Sequence, residues 1–99
     1  MRVPIGRFEQ RIAKAEVVEL LHAGESRVEA ITENVSPRGA RVITDSVCAP
    51  GKLLLLDAPN EHLNLQARVV YCQRVGENKF AVGLELNVRV ETWQKPRQR

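Results

Sequence analysis

The sequence is poor in the residues that build catalytic and metal centres: in 99 residues it holds two histidines, two cysteines and three serines. Cys48 and Cys72 stand far apart, with no C-x-x-C pair and no histidine nearby, which excludes a zinc-ligand spacing and a thioredoxin-like motif and leaves reduced, structural thiols as the expectation. His22 and His62 each lie alone beside an expected turn, where an imidazole faces solvent rather than serving as a base or a metal ligand. There is no Gly-x-Ser-x-Gly elbow and no glycine-rich loop ending in Lys-Ser or Lys-Thr. The acidic side chains Glu16, Glu19, Glu29 and Glu33 are scattered on alternating patterns, expected on the wet face of strands or of a helix, and no carboxylate pair stands out. The sequence therefore predicts no catalytic residue, no metal and no cofactor, and a protein that binds a ligand rather than transforming one.

Long apolar runs are missing as well. None approaches the roughly 20 residues that cross a bilayer, and Met1 to Arg11 lacks the apolar centre of a secretory signal, so a cytoplasmic protein with no membrane insertion is expected. Aromatic residues are scarce: Phe8, Tyr71, Phe80 and Trp93 are too few to stack the bases of a single strand, and no DNA or RNA partner is expected. What is present is an ordinary globular balance, 43% hydrophobic and 27% charged, in a length that suits one domain with one core. The net charge is only +3, yet eleven of the fifteen basic residues are arginine, whose planar fork suits phosphates and guanine edges.

Turn signals cut the chain at short intervals: Gly24, Pro37 to Gly39, Pro50-Gly51, Asp57 to Asn60, and Gly76 to Asn78. Between them Val28 to Val35, Ala40 to Ile43, Lys52 to Leu56, Leu63 to Cys72 and Phe80 to Leu86 have strand length, several of them rich in β-branched residues. Such spacing predicts an antiparallel barrel or sandwich, with Ala67 to Cys72 and Lys79 to Leu86 joined as a hairpin. Phe8 to His22 reads two ways. Ala13, Val17, Leu20 and Leu21 fall at helical spacing, while Val17-Val18 and the turn at Gly24 permit a strand paired with the run from Val28. Leu53, Leu55, Val69, Tyr71, Val82 and Leu84 are expected to supply core, although in the all-apolar run Leu53 to Leu56 either alternate face can point inward. Trp93 is expected to pack on the barrel.

Two stretches carry more than fold. Arg7-Phe8-Glu9-Gln10-Arg11 sets two arginines four apart, and Asn34-Val35-Ser36-Pro37-Arg38-Gly39 follows after a gap. Eleven arginines give about one such pair by chance, so the first stretch is weak alone; Asn/Asp-x-Ser-x-x-Gly has a chance expectation on the order of 0.01 here and carries most of the weight. In this order they resemble the paired motifs of PilZ domains, R-x-x-x-R before the first strand and D/N-x-S-x-x-G on an early hairpin, which together clasp the bacterial second messenger cyclic di-GMP. The hairpin Ala67 to Tyr71 and Ala81 to Glu85 is also similar to the family's closing strands, so the likeness covers nearly the whole chain.

The resemblance implies a six-stranded antiparallel Greek-key β-barrel over residues 13–88, a flexible ligand-binding N-terminal arm over residues 1–12 and a short basic C-terminal tail over residues 89–99. It implies that Arg7 and Arg11 on the arm fold over cyclic di-GMP while Asn34, Ser36 and Gly39 hold it from the barrel. The chemistry is apt: an arginine fork matches guanine N7 and O6, short polar groups reach phosphate oxygens, and a glycine permits close backbone approach. Arg38 and Arg41 are near enough in sequence to assist. The expected function is a non-catalytic signalling effector of motility, polysaccharide or biofilm control that acts through a protein partner. The alternative is a PilZ-like interaction domain that binds no nucleotide. The stretch Ile12 to Ala15, where many relatives have a proline-containing segment, and Gly6, where relatives carry another arginine, are departures that leave arm geometry and ligand stoichiometry open.

Overall fold

The computed structural model describes residues 11–22 and 24–94. Arg7 and the rest of the expected arm up to residue 10 lie outside the described residues, as do residues 95–99 of the basic tail.

Seven strands account for most of the described residues: β1 (Ile12–Ala13), β2 (Val17–Leu21), β3 (Val28–Ser36), β4 (Gly39–Thr44), β5 (Leu53–Ala58), β6 (Leu63–Gly76) and β7 (Lys79–Leu86). All pairings are antiparallel. The order β3-β2-β5-β6-β7-β4 closes on itself through β3–β4, giving the expected six-stranded barrel, with β1 added beside β3. The hairpin-linked β2, β3 and β4 are followed by β5, which returns to pair with β2, and this is the Greek-key crossing. Its connection is tied down where the Gly51 N–H donates to the Val69 carbonyl at 2.7 Å and the Val69 N–H to the Lys52 carbonyl at 2.9 Å.

The Val17 to Leu21 segment, where helix and strand readings compete, is a strand. It fills the gap between β3 and β5 and sends Val18 and Leu20 into the core, so ladder pairing on both sides outweighs a helical spacing that has no apolar layer to meet. The same inward row, Glu16, Val18, Leu20 and His22, corrects two expectations. Glu16 and His22 are buried, 7% and 6% exposed, because alternation from Val18 and Leu20 leaves them no wet face. His62 does face solvent, in a left-handed backbone conformation after the short 3-10 helix Pro59–Glu61.

The expected core is corrected at three further positions. In β5 the inward pair is Leu54 and Leu56, 3% and 0% exposed, while Leu53 and Leu55 face outward at 56% and 42%. Tyr71 is also outside the core. Between Val69↔Leu84 and Tyr71↔Gly83 the register slips by one residue at Val70, and this bulge turns Tyr71 from the inner to the outer face of β6. Val69, Val82 and Leu84 are in the core as expected, closed at one end by Val90 and by Trp93 of a second 3-10 helix, Glu91–Gln94. Both cysteines are free thiols, and burial pushes the Cys48 thiol above its ordinary value.

Where β1 gives way to β2, three residues, Lys14, Ala15 and Glu16, face two, Thr32 and Glu33. The Thr32 hydroxyl plugs the break: it donates to the Lys14 carbonyl and accepts from the Glu16 N–H at 2.9 Å. The Lys14 ammonium then turns inward to the Trp93 carbonyl at 2.9 Å, the Glu61 carboxylate at 2.8 Å and the Glu16 carboxylate at 3.5 Å. A lysine thus joins the root of the N-terminal strand to the C-terminal 3-10 helix.

Candidate functional site

The second motif lies on the β3–β4 hairpin. Ser36 pairs with Gly39 across the two-residue turn Pro37-Arg38. Pro37 is fully buried, and the turn's carbonyls are both used: that of Pro37 accepts from the Val90 N–H at 2.7 Å, and that of Arg38 from the Leu86 N–H at 2.9 Å. The turn is therefore held from below by the end of β7 and the segment after it, while the Arg38 side chain faces the groove described next.

A second bulge determines what that hairpin displays. Glu33 is the extra residue between Thr32↔Val42 and Asn34↔Arg41. Strict alternation from Ala30 and Thr32 would send Asn34 into the core; the bulge puts Val35 there instead, fully buried, and leaves Asn34 half-buried on the outer side. Arg11, exposed and one residue before β1, reaches it: the Arg11 Nη1 donates to the Asn34 Oδ1 at 2.8 Å.

Of the five expected ligand residues, four are described, and they meet. Arg11, Ser36 and Gly39 line one groove of about 260 Å3 together with Arg38, Tyr71 and Gly83, and Asn34 bonds to Arg11 at its rim. Arg7 lies outside the described residues. Glycine at position 39 has a steric cause. A Cβ there would stand 2.9 Å from the backbone carbonyl oxygen of Leu84, and 3.7 Å from both the Arg11 Nη2 and the Ser36 Oγ. Gly39→Ala must therefore push β4 away from β7 beside the groove. Overpacking of this kind costs about 1–3 kcal/mol, measurable as a lower urea midpoint with an unchanged slope; an unchanged midpoint would show that the two strands separate freely.

Sequence reasoning missed the groove's other wall. Tyr71 lies on Gly83, whose absent side chain makes room for the ring: a Cβ at 83 would collide with it. An isolated glycine inside the pattern Ala81 to Leu86 is the signal that marks such a close approach. The Tyr71 hydroxyl accepts from the Arg41 Nη1 at 3.1 Å, and the Arg41 Nε donates to the Glu33 carboxylate at 2.6 Å. These bonds hold the Arg41 guanidinium in its charged form, its pKa raised first by the tyrosine hydroxyl and then by Glu33. Arg41 is thus engaged in supporting the wall. Arg38 differs: among the described residues its guanidinium has no hydrogen-bond or ion-pair partner, and it lines the groove.

Two guanidinium groups, a serine hydroxyl, an amide and a glycine backbone around one groove make a site for a planar, anionic, hydrogen-bonding ligand. Among the described residues no cluster of His, Cys, Asp or Glu is placed to hold a metal, and no helix is long and apolar enough to cross a membrane.

A search of curated proteins gives no match to the chain. The family model of the PilZ domain matches residues 6–98, a span that includes both motifs, the whole barrel and the C-terminal 3-10 helix. Domains of this family are non-catalytic binding and signalling modules that generally take cyclic di-GMP. The chain belongs to the PilZ domain family.

Proposed function

We propose that this domain is a cyclic di-GMP receptor that acts as a signalling effector through a protein partner. The observation that carries the reading is the meeting of the two sequence motifs: Arg11, from one, bonds Asn34 of the other at 2.8 Å and shares a groove with Ser36 and Gly39. Arg11 is exposed, and a solvated pair of this kind contributes at most about 1 kcal/mol, so the barrel's stability depends little on it.

In this reading Arg11 presents its fork to a guanine edge or a phosphate, with Asn34 fixing its plane. Ser36 and the Gly39 backbone take phosphate oxygens, and Arg38 adds a second positive charge on the turn. Arg7 serves from the arm.

The test is isothermal titration of cyclic di-GMP into the purified domain, with GTP as the control ligand. Saturable binding is expected, and Arg11→Ala should weaken it ten-fold or more, the equivalent of about 1–3 kcal/mol for one bidentate arginine contact. Binding that is unchanged in Arg11→Ala removes that residue from the site. No heat, and no binding by a second method, replaces the receptor with an interaction domain that takes no nucleotide.

A further inference from the structure

We infer that the outer face of β3, β2 and β5 is a docking surface for a protein segment that carries a basic side chain midway between two apolar ones. This names a surface for the protein partner of the proposed function and rests on that part of the reading alone. β2 and β5 contribute no residue to the groove that holds Arg11, Ser36 and Gly39, so nucleotide and partner need not compete.

Three cross-strand rows make the surface. Ile43, Ile31 and Val17 lie side by side in the first, the last two exposed. Two residues along β2 the second row is Glu29, Glu19 and Asp57. Two further on, Leu21 faces the exposed Leu55, with exposed Leu53 beyond it. Like charges set directly opposite one another destabilise a sheet. Among the described residues one arginine answers the row: the Arg27 Nη1 bonds the Glu19 carboxylate at 2.7 Å, while the Glu29 and Asp57 carboxylates have no hydrogen-bond or ion-pair partner. Lys79 borders a groove with Glu29, but does so together with Asp45. Carboxylates left over between two exposed apolar rows are explained by a cation brought from outside on an apolar segment.

An independent observation lies at the end of the last row. The β2 ladder with β5 stops at Leu21↔Leu55, and the chain turns away through Gly24 at φ 77°, so Leu53 and Leu54 run on without a β2 partner. The gap is a cavity of about 280 Å3 lined by Leu21, Leu53, Leu54, Leu55 and the His22 ring. His22 is buried, and its Nδ1 meets no hydrogen-bond partner among the described residues. A buried nitrogen without a partner marks a wall left incomplete in the free domain. The cavity takes one apolar anchor, the carboxylate row takes the basic side chain, and Val17 and Ile31 take the second anchor. Val17 and Leu21 stand four residues apart, about 13 Å along the strand. An α-helix meets that span with apolar residues at i and i+8 and a basic one at i+4. A phosphate-bearing surface, lipid or nucleic acid, is repelled by the same carboxylates.

The test titrates the whole chain, isotope-labelled and without nucleotide, with a synthetic helical peptide that has leucine at i and i+8 and arginine at i+4. Amide NMR shifts are expected at Val17, Glu19, Leu21, Ile31 and Leu55. Glu29→Gln/Asp57→Asn should weaken binding about ten-fold, and Leu53→Ser/Leu55→Ser, which changes exposed positions only, should weaken it as much. Unchanged binding in both variants, equal binding by a peptide with glutamate at i+4, shifts confined to the groove of Arg38 and Tyr71, or no shift overturns the docking surface. So does a dimer of the free domain that Leu53→Ser/Leu55→Ser dissociates, since a second copy then covers the face. If a variant does not fold, the arginine and glutamate peptides against the wild type decide. Each of these outcomes leaves the cyclic di-GMP titration, and with it the receptor reading, untouched.

Discussion

Replacing Trp93 with alanine is expected to lower the thermal midpoint by at least about 12 °C. The side chain is fully buried at one end of the barrel, and truncating a buried tryptophan costs about 3–5 kcal/mol. A domain of this size has only about 5–15 kcal/mol in total, and each kcal/mol moves its midpoint by about 4–8 °C. Trp93→Phe keeps most of the packed volume and should lose much less. Circular dichroism melts of the three proteins check this. Trp93 is the sole tryptophan, so its emission maximum reports the same burial independently. A midpoint within a few degrees of wild type would mean that Glu91–Gln94 contributes little to the core.

Lys14→Met should be nearly as costly at neutral pH, and its cost should shrink in acid. Lys14 lies between the Glu61 and Glu16 carboxylates in a site where all three side chains are mostly hidden, 12% exposed for the lysine and 10% and 6% for its partners. Removing one member of a buried charge cluster leaves the rest uncompensated, a loss of about 3–5 kcal/mol. Even in the wild type, burial first and the Glu61 carboxyl second hold the Glu16 carboxyl above the usual carboxylate range, against the opposing pull of Lys14. A carboxyl raised in the folded state favours folding while it is protonated. That contribution is therefore present below the ordinary value of 4.5 and lost as pH rises through the raised one. Lys14→Met removes the opposing pull, so its stability should fall more steeply above pH 4.5 than that of wild type, and Glu16→Gln should flatten both profiles. Urea unfolding across the pH range measures this; parallel profiles for Lys14→Met and wild type would show that Glu16 is solvated.

The parts of the fold that the sequence made legible are those governed by local chemistry. Pro37 to Gly39, Pro50-Gly51 and Gly76 to Asn78 are turns because their residues suit turn backbones; Gly51 and Asn78 do adopt positive φ, 89° and 59°. The strand runs between them follow from β-branched content. What escaped depends on partners far along the chain. The Val17 to Leu21 strand is decided by β3 and β5 on either side, and the inward set Leu54/Leu56 by the pairing of β5 with β2 and β6. The site divides in the same way. Arg11, Asn34, Ser36 and Gly39 were readable as residue types at a spacing, whereas Tyr71 and Asn34 face outward only because Val70 and Glu33 are bulged. A bulge is a registry difference between two strands, and neither strand's sequence contains it alone. The buried Glu16 and His22 escaped for a related reason: both sit at the ends of an inward row whose direction is known only once the barrel closes.

Closure has one more consequence. Each of the six barrel strands has a partner on both sides, but β5 reaches only the first half of β6, so residues 70–76 are laddered to β7 alone and, among the described residues of the barrel, offer an incoming chain its longest open edge. Where both edges are paired, a partner must recognise outward side chains instead. There, changes in binding preference would come from single surface substitutions that leave the ladder intact, whereas along residues 70–76 one extended segment could be exchanged for another of the same backbone shape.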